Sequence, residues 1–279
     1  GLGDVYKRQG LVYAIANQKG GVGKTTTVVN LAAYFGARGK RVLCIDIDPQ
    51  GNTTTGLGIK KRSLTASSYH VLNGSAKIAD VIQQTEYENV SIVPARDELA
   101  GCELELSQME YRATRLRMQL LTCKADYDYI FIDCPPALGL LTLNGLAAAD
   151  EIIVPMTAEF YALEGLSQLM TTMKAVRANL NPSLKIAGIL FVMFDPRLNV
   201  SRQVEEEVAK YFPNQIFRTK IPRNVRLSEA PSYGKPVMYY DKNSKGAEAY
   251  AELGMELLGE TPPPKEKKRF QLFHRKNKN

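Results

Sequence analysis

The sequence predicts an α/β fold: a mostly parallel, twisted sheet with helices on both faces. Short apolar runs recur without polar alternation, segments of helical periodicity separate them, and a Gly-rich loop joins the first run to the first helix. Unbroken apolar strands are those buried on both faces, and strand–helix alternation is how a parallel sheet is connected.

The elements follow in order. Residues 11–16 form the first apolar run, and 25–35 place Val28, Val29, Leu31, Ala32 and Phe35 at helical spacing. Gly36 and Gly39 bracket the stop, and residues 41–45 read as the next buried strand. Further strands are expected at 90–93, 129–132, 151–154 and 186–192. Helices are expected at 97–123, 140–148, 161–179, 200–211 and 244–258. Asn181-Pro182 and Phe212-Pro213 mark helix ends. With no Ser/Gly-rich or charge-rich linker inside it, 10–260 reads as one domain.

The ends read differently. The first nine residues have neither an apolar period nor a signal-peptide layout, and they are set aside as a non-native leader. Three prolines, Pro262 to Pro264, break the chain before a basic tail, so 261–279 is expected to be a Pro-rich break and a disordered segment. Of the net charge of +7, the leader carries +1 and the tail from Lys265 carries +6, which leaves a neutral body. Within that body, residues 177–245 hold twelve Lys and Arg against six acids. Any nucleic-acid reading therefore rests on a local face and not on the isoelectric point. No run approaches ~18 apolar residues, so no transmembrane helix is expected. Cys44, Cys102, Cys123 and Cys134 show no C-x-x-C spacing, as in a reduced cytosolic protein.

The chemistry concentrates in Lys19-Gly20-Gly21-Val22-Gly23-Lys24-Thr25-Thr26, set between a strand and a helix. Glycines there let the backbone take positive φ and approach phosphates, while free amides and the helix N-terminus supply positive potential. Lys24 is suited to the β- and γ-phosphates and the Thr25 hydroxyl to Mg²⁺, which makes this a P-loop of the NTPase class. Gln18 stands where the usual first glycine would be, and a second lysine, Lys19, opens the loop. Such a charge makes sense if it reaches the nucleotide of a second subunit, as an arginine finger does. Asp46 and Asp48 close one strand and Asp133 another, where open α/β sheets bind ligands. Asp133 fits the holding of Mg²⁺ through its water, and Asp48 the orientation of an attacking water.

Together with residues 221–236, a block running from Ile221-Pro222-Arg223-Asn224 to Gly234-Lys235-Pro236, these motifs resemble the ParA/Soj chromosome-partitioning ATPases of the deviant Walker A class. The loop alone is shared with MinD and the nitrogenase iron protein; the 222–236 block narrows the likeness. The resemblance implies a P-loop ATPase using ATP and Mg²⁺ that forms an ATP-dependent homodimer. Lys19 would cross that dimer, Lys24 would be the P-loop lysine, and Thr26 would touch the α-phosphate. Asp48 would promote hydrolysis, and Pro222 and Asn224 would hold the adenine. It further implies attachment to DNA without sequence preference, release by a ParB-type partner, and a cytoplasmic, nucleoid-associated location.

Arg197 and Arg226 match arginines implicated in DNA attachment, with Arg202, Lys210, Arg218, Lys220 and Arg223 as supporters. The alternative is a MinD-like membrane-associated positioning ATPase, with residues 267–276 as a short interfacial anchor. The family block argues against it, and no stable membrane association is expected. Cys102 and Cys134 also raise an iron–sulfur reading; Cys134, fixed between Asp133 and Pro135, is expected to be a buried small hydrophobe.

Overall fold

A computed structural model describes residues 10–261; the leader, all but the first residue of 261–279 and the anchor reading of 267–276 lie outside the described residues. Seven strands, β1 (Leu11–Ile15), β2 (Val42–Asp46), β3 (Gln83–Gln84), β4 (Val90–Val93), β5 (Tyr129–Asp133), β6 (Glu151–Thr157) and β7 (Lys185–Val192), form one sheet in the order β3-β4-β2-β5-β1-β6-β7. All pairings are parallel except that of β3, whose Gln83 and Gln84 run antiparallel to Ile92 and Ser91.

Alternate residues of each strand face opposite layers. Tyr13, Ile15, Val42, Cys44, Phe131, Ile153, Leu190 and Val192 pack in one cluster with α1 (Lys24–Ala37). Within it Phe131 stacks on Tyr13 at 5.7 Å between ring centroids and meets Phe35 at 5.6 Å. Fully burying such a ring contributes ~1.5–3 kcal/mol. Val12, Ala14, Leu43, Ile45, Ile130, Ile132, Ile152, Val154 and Phe191 face the other way, into the second cluster.

After β2 the chain forms the short helices α2 (Asn52–Gly56), α3 (Ser68–Asn73) and α4 (Ile78–Val81). The helix expected over 97–123 is not continuous. It divides into a 3₁₀ turn, Asp97–Gly101, then α5 (Cys102–Ser107) and α6 (Arg115–Leu120), with Tyr111 at φ 55° between them. The break is held from outside. Buried Asn144 of α7 (Leu140–Ala148) donates to Arg112 O at 2.8 Å and accepts from Leu116 N at 3.1 Å. Backbone groups that a continuous helix would satisfy internally are met by a side chain from another element.

The remaining helices are α8 (Phe160–Asn179), α9 (Asn199–Tyr211), α10 (Val225–Glu229), α11 (Val237–Tyr240) and α12 (Lys245–Leu257). α12 brings Ala249, Tyr250 and Leu253 against the face covered by α1. The carboxyl ends of β1, β5 and β2 lie in register: Ile15 is opposite Asp133, and Asp133 is opposite Asp46. That register sets the loop after β1 beside two carboxylates.

Candidate functional site

The loop leaves β1 at Ala16 and enters α1 at Lys24. Gly21 at φ 71° and Gly23 at φ 78° occupy the left-handed region, where a side chain would be strained. The loop, the turn after β2 and residues 221–231 enclose a cavity of about 520 Å³. Gly20, Gly21, Gly23, Lys24, Thr25, Thr26, Asp48, Pro222 and Asn224 line it, so most of the residues singled out from sequence share one space. Val22 does not line it and is buried.

Lys24 is buried, and its Nζ donates to Lys19 O at 2.9 Å. Burial lowers the pKa of its ammonium, opposed by Asp133 and Asp48. Asp133 is fully buried; its Oδ2 accepts from the Thr25 and Thr53 hydroxyls, both at 2.7 Å. Its Oδ1 is buried without a hydrogen-bond partner among the described residues. Asp46 Oδ2 accepts from Thr54 N at 2.8 Å and Thr54 Oγ1 at 2.7 Å, and Oδ1 from Asp48 N at 3.2 Å. Desolvation pushes both buried carboxyls above their usual range, and Asp133 raises Asp46 further. Asp46 thus shapes the turn that presents Asp48, while Asp48 itself lines the cavity and accepts Gln50 N at 2.9 Å.

Lys19 points elsewhere. Its Nζ pairs with Glu159 at 2.7 Å, and it lines a second cavity with Gln18, Leu138 and Tyr161. Asn224 lines the main cavity, but its Oδ1 accepts Arg226 N at 3.1 Å and caps α10. The amide nitrogen of its side chain remains for a ligand, and Oδ1 keeps a second lone pair.

Arg197 and Arg226 lie outside the cavity and carry counter-ions: Asp195 at 2.7 Å for Arg197, and Glu229 at 2.7 Å with Asp241 at 3.2 Å for Arg226. Among the supporters, Lys210 pairs with Glu207, Arg218 with Glu256 and Lys220 with Glu205, while Arg223 lines the nucleotide-sized cavity. The local positive face is therefore extensively paired. Cys102 and Cys134 are fully buried within one hydrophobic cluster, which leaves neither thiol at a surface that two subunits could share.

Sequence reasoning missed several contributors. Thr53 and Thr54 follow the Asp-Pro-Gln-Gly turn, where hydroxyls five and six residues after Asp48 were the available signal. Met193, held at φ 49° just after β7, and Tyr250, from within α12, line the cavity with no motif to announce them.

A family model described as an AAA domain matches residues 10–186. The sporulation initiation inhibitor protein Soj of Bacillus subtilis is 53% identical over 248 residues, covering 89% of this chain and 98% of that protein. The chain belongs to the ParA/Soj family of chromosome-partitioning ATPases. A second family member, the chromosome partitioning protein ParA of Myxococcus xanthus, is 51% identical over 93% of this chain and 92% of its own length. Among solved structures, cobyrinic acid a,c-diamide synthase from Mycobacterium smegmatis, with bound ADP and magnesium, superposes with a TM-score of 0.78. It is 38% identical and covers 89% of this chain and 94% of that chain. Outside the loop and carboxylate motifs, the ParA/Soj assignment rests on identity that extends across nearly the whole chain. Among the described residues no helix is long and apolar enough to cross a membrane.

Proposed function

We propose that this chain is a Mg²⁺-dependent ATPase that dimerises on ATP, binds DNA without sequence preference and is released when a ParB-type partner stimulates hydrolysis. The observation that carries the catalytic part is the shared cavity of Lys24, Thr25 and Asp48 with buried Asp133 directly behind Thr25. The donor set fits a hard cation: the Thr25 hydroxyl would be an oxygen ligand, and Asp133, whose Oδ1 has no partner among the described residues, would hold the ion through its water. Mg²⁺ bound there would neutralise phosphate charge and favour the leaving oxygen.

ATP would lie with its phosphates against the amides of Gly20 to Thr26 and its adenine between the 221–231 segment and Met193. Lys24 would bind the β- and γ-phosphates. Asp48 would orient a water for in-line attack and draw off its proton as the new P–O bond forms and the bond to ADP breaks. Lys19 of one subunit would reach the nucleotide of the other, which accords with its position outside its own cavity. Arg197 and Arg226 would contact phosphates of DNA, so affinity should fall with salt and not with sequence. The setting is chromosome or plasmid partition at the nucleoid, in the cytoplasm. The MinD-like alternative rests on residues 267–276, which lie outside the described residues.

Asp48→Ala tests the catalytic reading. Hydrolysis of Mg²⁺-ATP should fall ~100-fold or more while nucleotide binding persists and the ATP-bound dimer accumulates on DNA. Turnover at the original rate would remove Asp48 from the mechanism.

A further inference from the structure

The two arginines assigned to DNA are held in different ways. Arg197 is paired on one side only: Nε and Nη2 donate to Asp195 at 2.9 and 2.7 Å, and its side chain is 87% exposed. The same carboxylate accepts Arg197 N at 3.0 Å, so backbone and side chain close on one anion. The Nη1 end of the fork faces away from that pairing and remains available to a phosphate.

Arg226 is flanked by a carboxylate on each side. Its Nη1 donates to Glu229 Oε2 at 2.7 Å and its Nε lies 3.2 Å from Asp241 Oδ2, with the side chain only 49% exposed. A guanidinium grips an anion bidentately through Nε with Nη2, or through the two Nη atoms. Nη1, which belongs to the second edge, donates to Glu229, and Asp241 stands beside Nε on the first. The carboxylates come from separate segments, one at the end of α10 and the other directly after α11. The Tyr240 hydroxyl donates to the same Glu229 oxygen at 3.1 Å and fixes its position. One positive charge meets two negative ones, so the triad taken by itself offers an approaching phosphate a net negative charge.

We propose that Glu229 and Asp241 are counter-ions that hold Arg226 closed in the isolated subunit, and that DNA engages this arginine by displacing them. The proposal rests on the DNA-binding reading above and assigns it a regulatory element. Exposed ion pairs are weak and exchange readily, so the arrangement biases the surface without locking it. The helix that carries Arg226 is capped by Asn224, which walls the nucleotide cavity, so latch and nucleotide site share one short segment.

The test follows the anisotropy of a labelled duplex of arbitrary sequence with the full chain, Mg²⁺ and ATP across a salt series. Glu229→Gln combined with Asp241→Asn should tighten binding about three- to tenfold. That gain should vanish when Arg226→Ala is added. Unchanged or weaker binding overturns the proposal. So does an equal gain in the Arg226→Ala background, which would mark a general field effect. Each single substitution should give part of the gain, so the result does not hinge on the folding of the paired variant. If Arg226→Ala and Arg197→Ala both leave the binding of the otherwise unaltered chain and its salt dependence untouched, the DNA reading itself fails, an outcome separate from failure of the latch.

Discussion

The Thr27 hydroxyl joins two elements: it donates to Gly23 O at 2.7 Å and lies 3.1 Å from the Tyr250 hydroxyl. Through this pair α12 braces the carbonyl on which the loop turns into α1. Tyr250 is fully desolvated, which pushes its phenol well above the usual range and keeps it protonated as a donor. Tyr250→Phe should lower unfolding free energy by ~0.5–1.5 kcal/mol in urea titrations, since Thr27 keeps its bond to Gly23. Lys19 is a different case. Its pair with Glu159 is exposed on both sides, so it contributes little to stability and can exchange for another anion. Lys19→Ala should leave nucleotide binding intact and abolish ATP-dependent dimerisation, read by light scattering with and without ATP.

At the scale of elements, α7 sits unusually close to the strand ends that carry the carboxylates. A Cβ at Gly145 would lie 2.7 Å from Cys134 Sγ and 3.2 Å from Ile47 Cδ1. Gly145→Ala should cost ~1–3 kcal/mol by overpacking, seen as a lowered thermal midpoint, because both neighbours are buried and held by the strands. Elements such as β2, β4 and β5 were legible because an interior parallel strand is an unbroken apolar run. Others were not. β3 is two glutamines at the sheet edge, with no apolar signal. α2 is threonine-rich and owes its start to Asp46, whose carboxylate accepts from Thr54. The break between α5 and α6 depends on Asn144, which lies beyond β5 in sequence, so no local pattern encodes it. The loop residues of the candidate site were readable from glycine and lysine spacing. Thr53, Met193 and Tyr250 reach the same cavity only through tertiary placement.

For the molecule as a whole, the sheet and its covering helices together bury all four thiols. Burial pushes Cys123 up to about 11 and Cys102 up to about 12, and it raises Cys44 and Cys134 further. At pH 8 almost none is thiolate, so the native chain should resist iodoacetamide, whereas all four should react after unfolding; intact mass reads the difference. The positive face foreseen from composition is where sequence and structure part most clearly. The counts for residues 177–245 were correct, but charge counting does not see that Arg197, Lys210, Arg218, Lys220 and Arg226 each have a carboxylate within 4 Å.

The placement of β1 bears on how the chain is made. It is made before the other six strands of the sheet and it ends inside that sheet, where Leu11 pairs with Tyr129 and Tyr13 with Glu151. Neither neighbour exists until translation has passed Tyr129 for one and Glu151 for the other. At about 5–20 residues per second, an apolar strand and its glycine loop wait for roughly ten seconds without a partner. During that interval the nascent chain presents an unpaired edge, so the step most exposed to aggregation is synthesis before β6 emerges.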